Sequence, residues 1–450
     1  MTSELEPEIP APQSQGPQRT PSRLPKGLSS FRHHNFRLFW LGMLVSLVGT
    51  WMQQVGQAWL VLELTNDPVA LGLVAAAQFT PVLFLGLFGG ILADAVSKRK
   101  ALVITQIAAG LLALILGLLV ISSQVQVWHV FVLALCLGVV NSFDMPIRQS
   151  FVVEMVGRSD IANAVALNSA VFNITRIIGP AIAGLTIAAI GIHPLFFINA
   201  VSYLAVVVSL FFMRPHELRP TARAVVERNL RSVVNSLVEG LRYTRHDPQI
   251  FLAIAVLAVV STFALNFQVL IPLVARDVLL GDADTYGFLM AATGVGSVLS
   301  AMSIAFGKRP GMGRLLVGAA AIGVAMVGVG LSRSVPISLA LMFLAGWGLI
   351  SMAATCNTII QLAVPDVLRG RVMSVYTTVF AGSTPFGGIF SGGLAAIGGA
   401  PAALIVGGGI AVLAAIVGYF KMPGGDRLGR MPALRGFDAD QRPLDATPRR

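Results

Sequence analysis

Four ionisable side chains, Glu63, Asp144, Arg148 and Arg176, lie within or at the ends of runs that are otherwise almost free of charge. A carboxylate stripped of water can carry a proton, and an arginine in the same surroundings demands a counter-charge. Arg176 falls near the middle of an apolar run. Placing an arginine there in a membrane costs about 2.5–3.5 kcal/mol, so it must face the interior and find a partner. Asp144 and Glu154 are the acids placed to serve, and a structural ion pair or snorkelling to the nearer surface is the plainer alternative. Glu63 is either a second proton carrier or a solvated helix-end glutamate. Around these charges run stripes of uncharged polar side chains. Ser46, Thr50, Gln53 and Gln57 follow steps of 4, 3 and 4 and share one helical face, with Gln54 beside it. Unpaired amides in hydrocarbon cost several kcal/mol, so the stripe either bonds to a neighbouring helix or lines a wet cavity. Asn173, Asn266, Asn357 and Gln361 repeat the pattern on other runs. Interleaved with Trp51, Trp59, Phe172, Phe263 and Phe267, they suit a large, partly apolar solute that forms hydrogen bonds.

The elements that must position these groups follow from composition. Hydrophobic residues make up 55% of the 450 and charged residues 12%, with a mean hydropathy of +0.78. That leaves too little polar surface for a soluble protein of this length. About 20 residues at 1.5 Å each cross a hydrocarbon core, and twelve runs qualify. They fall at 37–62, 71–94, 101–122, 127–146, 162–190, 194–213, 250–275, 286–307, 313–332, 336–361, 371–397 and 400–421. Barrel strands are excluded because the runs are long and do not alternate. The expected fold is an all-α membrane protein, with twelve transmembrane helices in two six-helix bundles.

Charge placement sets the topology. All but three of the 32 Lys and Arg residues fall on one side of these runs; Arg276 and Arg333 fall on the other, and Arg176 lies within a span. By the positive-inside rule both termini are cytoplasmic. The net charge of +11 is therefore a topology signal, not a nucleic-acid footprint. Residues 1–36 read as a disordered cytoplasmic tail, 37–213 as the N-terminal bundle, 214–249 as a linker, 250–421 as the C-terminal bundle and 422–450 as a second tail. In the linker Leu230, Val233, Val234, Leu237, Val238 and Leu241 recur at helical spacing, predicting an amphipathic helix on the inner membrane surface. The halves echo one another, Asn168-Ser169 and Gly179-Pro180 matching Met373-Ser374 and Thr384-Pro385, which places a pathway between them. Cys136, Cys356 and the six histidines show no ligand spacing, so neither a metal site nor a cofactor is expected.

The stretch from Gly89 to Leu102, with Gly90, Asp94, Lys98 and Arg99, resembles the cytoplasmic signature of the major facilitator superfamily. The resemblance implies a latch in which Asp94 docks on the other half near Arg371, closing the inner face in the outward-open state. Arg176-Ile-Ile-Gly179-Pro180 through Gly184 looks like the Gly-Pro motif of proton-coupled drug exporters, implying a hinge at Gly179, Pro180 and Gly184. Asn141 through Arg148, Asn163 through Ser169 and Arg369-Gly370-Arg371 are similar to the subgroup holding the enterobactin exporter and macrolide efflux proteins. No acid–base cluster suggests an enzyme. The resulting expectation is a monomeric exporter of small amphiphiles, such as a siderophore, antibiotic or other natural product, in the bacterial inner membrane. It would work by alternating access and proton antiport, with Asp144 coupled to Arg176; an importer of the same fold, or a non-transporting polytopic membrane protein, is the alternative. Beyond substrate, protons and lipid no partner is expected.

Overall fold

In hydrocarbon every backbone N–H and C=O needs a partner within the protein, and a helix supplies it segment by segment. The computed structural model describes residues 26–219, 230–307 and 310–422, apart from the side chains of 26, 87–95 and 230–234. Among them no strand occurs. The first bundle comprises α1 (His34–Thr65), α2 (Pro68–Ala95), α3 (Lys98–Ile121), α4 (Val127–Val156), α5 (Ile161–Ile190) and α6 (His193–Phe211). After α7 (Leu230–His246), the second comprises α8 (Pro248–Phe263), α9 (Phe267–Leu273), α10 (Ala283–Ala305), α11 (Met312–Leu331), α12 (Val335–Ala363) and α13 (Asp366–Lys421).

Eleven stretches are long and apolar enough to cross a membrane, α8 and α9 forming one of them. The 56-residue α13 crosses twice, because Gly399 leaves helical geometry at φ 75°, ψ 168°. Its second limb runs back along α11, with Pro401 beside Gly330 and Gly418 beside Leu316. The crossings thus number twelve, in agreement with the sequence.

Two expectations need correction. The seventh crossing is not one helix: it breaks between Phe263 and Phe267 and ends in a π-turn at Val274–Val278. Asn266 sits at that break, where its Nδ2 donates to the Thr262 carbonyl at 2.8 Å and helps satisfy a carbonyl group at the interruption. Nor does an unstructured tail extend to residue 36. Lys26–Arg32 forms a short 3₁₀ helix docked on the start of α5, where Ser30 N donates to Asn163 Oδ1 at 2.9 Å and Asn163 Nδ2 to the Gly27 carbonyl at 2.6 Å. Residues 1–25 and 423–450 lie outside the described residues.

Within the first bundle α2 packs on α4, α1 on α5 and α6, and α3 on α4 and α6. In the second, α11 packs on α12 and α13, and α10 on α12. The bundles meet chiefly along two helix pairs, α2 with α13 and α5 with α10. This seam between the bundles is the place where the sequence repeat leads one to expect a pathway.

Candidate transport seam

One stripe of α5, Ser169, Asn173, Arg176, Pro180 and Gly184, points toward α10, and its members meet different surroundings. At the end remote from the basic loops, a Cβ on Gly184 would lie 2.8 Å from the Ala283 carbonyl oxygen, and one on Gly287 would lie 2.5 Å from that of Pro180. Only bare backbones fit so closely. At the other end Ser169 is exposed and Asn173 half-buried. The partner pair repeats this: Gly388 and Gly392 of α13 press on the Gly72 and Pro68 carbonyls, whereas Gly370 and Thr377 on the same face are exposed. The seam is closed away from the basic face and open toward it.

Further contacts fasten the closed end. Arg276 reaches across from the second bundle, where its Nη1 donates to the Leu62 carbonyl at 3.3 Å and its Nη2 to Asn66 Oδ1. Asn66 is the left-handed C-cap of α1, so Arg276 also meets the negative end of that helix. The Trp59 ring stacks on Tyr286 with centroids 6.3 Å apart, and Trp59 Nε1 donates to Glu63 Oε1 at 2.7 Å. Glu63 thus sits at the closed end.

The amides divide into two groups. Gln53 faces α6, not the seam, and its Oε1 accepts from Asn199 Nδ2 at 2.6 Å in a buried bond. Thr50 donates to the Ser46 carbonyl of its own helix at 2.9 Å. Gln54 and Gln57 do reach the seam. With Gln78 of α2 and Gln268 of α9 they line a cavity of about 20 Å³, room for a water, and Gln57 Nε2 donates to Gln78 Oε1 at 3.2 Å. Gln54 Oε1 is buried there without a partner. Asn357 and Gln361 bond to each other on α12 at 2.5 Å, and Asn266 belongs to the helix break.

The charges also rearrange the expectation. Asp144 pairs with Arg148 on its own helix, and its Oδ1 accepts from Thr105 Oγ1 at 2.7 Å and Gln106 Nε2 at 2.8 Å. These partners lie on α3 and α4, so Asp144 is not joined to Arg176. Glu154, the other acid considered for Arg176, binds Lys98 Nζ at 2.5 Å. Arg176 instead lies under the Trp51 ring, 5.8 Å from Cζ to the centroid, with its Nε buried and unpaired.

Residues 26–447 match the family model described as transmembrane secretion effector. The chain belongs to that family. It is therefore a major facilitator transporter and a multi-pass membrane protein, not an enzyme. The chain is 27% identical over 395 residues to the multidrug efflux pump Tap of Mycolicibacterium fortuitum, covering 86% of this chain and 92% of that one. It is 25% identical over 344 residues to the staphyloferrin A transporter of Staphylococcus aureus (75% and 84% covered). To the enterobactin exporter EntS of Escherichia coli it is 25% identical over 372 residues (81% and 86%). Among solved structures it resembles a mutant of the nucleoside transporter NupG, with a TM-score of 0.71 at 13% identity, covering 87% of this chain and 100% of that one. A bacterial homologue of the lysosomal transporter Spinster, inward-facing and occupied, matches with a TM-score of 0.67 at 12% identity (87% and 97%).

The expected latch residues whose side chains are described are engaged elsewhere. Besides the Lys98–Glu154 pair, Arg99 Nε donates to the Leu210 carbonyl at 2.7 Å, closing the end of α6. Arg371 pairs with Glu239 of α7. Gly90 and Asp94 lie on α2, but their side chains are outside the described residues. α5 runs without a break through Gly179 and Pro180; a Cβ on Gly179 would collide with Trp51, so this glycine serves the approach of α1. Between α4 and α5, Asp160 binds Arg32 at 2.5 Å and His33 at 2.8 Å. Burial pushes its carboxyl upward, but the hydrogen bonds and charges of His33 and Arg32 outweigh that and hold it below the ordinary value.

Sequence reasoning missed Gln78, Gln268, Asn199 and the bridging role of Arg276. Gln78 carried a usable signal, since it is the one amide in α2, and a polar residue inside a span needs a partner.

Proposed function

We propose that this transporter exports small amphiphilic molecules across the bacterial inner membrane by alternating access, coupled to proton antiport. The carrying observation is the unequal seam, zipped by bare backbones at one end and open at the other with polar groups exposed. The basic loops favour a cytoplasmic open end by the positive-inside rule; on this reading the conformation is inward-open and both termini are cytoplasmic. Cargo would enter there and leave once the zippered end parts. The polar stripes with Trp51 and Phe172 support an amphiphilic cargo, and the efflux and export functions of Tap and EntS favour the outward direction. Asp144 is the proposed proton carrier; protonation would release Arg148, so coupling acts through that pair rather than through Arg176. Asp94, with Gly90, Lys98, Arg99 and Arg371, remains the proposed latch for the outward-open state, since these residues lie at the end that is open here.

Everted membrane vesicles containing the protein, energised by respiration, test the reading with a fluorescent amphiphile. Accumulation above that of vesicles lacking the protein, abolished by nigericin, is expected. Accumulation no greater than in the control overturns export; accumulation that survives nigericin with valinomycin removes proton antiport alone.

A further inference from the structure

Among the described residues Arg176 has no counter-ion. A guanidinium presents five N–H donors and keeps its charge across the working pH range. Arg176 is only 9% exposed, its Nε meets no acceptor, and among the described residues it forms no ion pair. The acids that the sequence offered as buried charges are engaged elsewhere, Asp144 by Arg148, Glu154 by Lys98 and Glu63 by Trp59. Among the described residues the Trp51 ring is its charge-stabilising contact, and a ring supplies no lone pair for the fork of N–H groups. A buried cation with unspent donors is a binding site whose anion comes from elsewhere.

Its position says from where. A Cβ on Gly294 would lie 3.0 Å from the Arg176 carbonyl oxygen, so this turn of α5 marks the level at which the seam closes. Below it Asn173 and Ser169 lead to the open end, and Asn173 Oδ1 is itself buried without a partner. Beside it the Trp51 and Phe172 rings meet edge to face with centroids 5.6 Å apart. Nearly one helical turn along α1 from Trp51 is Gln54, with its own unpaired oxygen. Cation, aromatic wall and amides therefore succeed one another along a single path.

We infer that Arg176 binds the carboxylate of an amphiphilic organic acid, which is the cargo class of this transporter. The carboxylate takes the guanidinium fork in two parallel hydrogen bonds, the apolar body lies against Trp51 and Phe172, and Gln54 and Asn173 bond to polar groups along it. This assignment rests on the export reading for the route and narrows what travels it. Loading also neutralises the one buried charge at the seam that lacks a counter-charge among the described residues, so the seam closes around a loaded site more readily than around an empty one.

The test uses the full chain in nanodiscs of zwitterionic lipid, with dansylaminoundecanoic acid and its methyl ester as probes that differ in charge but share a body. The wild type should bind the acid about tenfold more tightly than the ester, the scale of a charge-assisted hydrogen-bonded pair. Arg176→Gln should bring the two affinities together, while Arg176→Lys should keep a reduced preference because it retains charge without the fork. Equal wild-type affinities, no saturable binding of the acid, or an intact preference in Arg176→Gln overturns the inference. The wild-type ratio needs no variant and decides even if Arg176→Gln does not fold. Energised vesicles that accumulate a neutral amphiphile while the acid preference is absent sink the organic-acid assignment and leave export standing; acid-selective binding without energised accumulation does the reverse.

Discussion

Ser169 and Gly184 occupy the same face of the same helix, yet one is exposed and the other lies against the backbone of α10. The α13 face repeats the contrast between Thr377 and Gly392. What separates the two ends is how near the opposite bundle comes, and small residues permit contact only where it does come near. A face of mixed glycine and hydroxyl residues can be dry or wet depending on which end of the carrier is shut.

A change away from the seam, at the proposed coupling pair, carries the largest expected cost. Asp144→Ala leaves the half-buried Arg148 without its acid and Thr105 and Gln106 without their acceptor, a loss of about 3 kcal/mol, the low end of the cost of breaking a buried pair. Melting of the purified protein should fall sharply, and because losing the charge imitates protonation of the proposed carrier, spin-label distances between the outer ends of α2 and α13 should differ from the wild type; unchanged distances would remove Asp144 as the coupling group. Gly72→Val attacks the closed end directly, because its Cβ would collide with the Gly388 carbonyl. Overpacking of this kind costs about 1–3 kcal/mol, and parting the outer ends relieves it. The distance between the same labels should lengthen, and a cysteine at Ser169 should react more slowly from the basic side.

Arg276→Ala is milder. It removes a charged donor from the Leu62 carbonyl and Asn66, worth about 1 kcal/mol in a half-exposed setting, or roughly a fivefold shift toward the outward-open form. Unaltered label distances would assign the closed end to packing alone. The smallest effect belongs to the Asp160 clasp, remote from the seam. Its carboxyl is held below the ordinary 3.8, so its contribution is complete above that value and is lost as the pH falls through the lower, folded one. A spin label at Gly27 should become mobile only under strongly acidic conditions; release near neutral pH would show that Asp160 does not hold the segment.

Much of the architecture was legible because the bilayer permits few solutions. Run length alone separated the limbs of α13 near Gly399, and the lopsided placement of Lys and Arg named the basic face before any coordinates. The site was less legible, for a geometric reason. A helical wheel gives the direction in which Gln53 and Gln57 point but not which helix stands there, so one bonds to Asn199 of α6 and the other to Gln78 of α2. Asp144 and Arg176 both looked like buried charges wanting partners, but the i,i+4 neighbour Arg148 was already in reach of Asp144. The break before Asn266 was hidden because its residues are as apolar as the helices on either side. Arg276 was placed on the correct side by charge counting, but its acceptors include a main-chain carbonyl, a group that every residue possesses and none advertises.

That choice of acceptor bears on how the carrier senses its surroundings. The groups that Arg276 grips across the divide, an amide oxygen and a peptide carbonyl, do not gain or lose protons in any ordinary medium. Acidity at the closed end therefore reaches this clamp through Asp277, the half-exposed neighbour whose carboxylate accepts from Arg276 Nε at 2.6 Å, and not through the groups gripped across the seam.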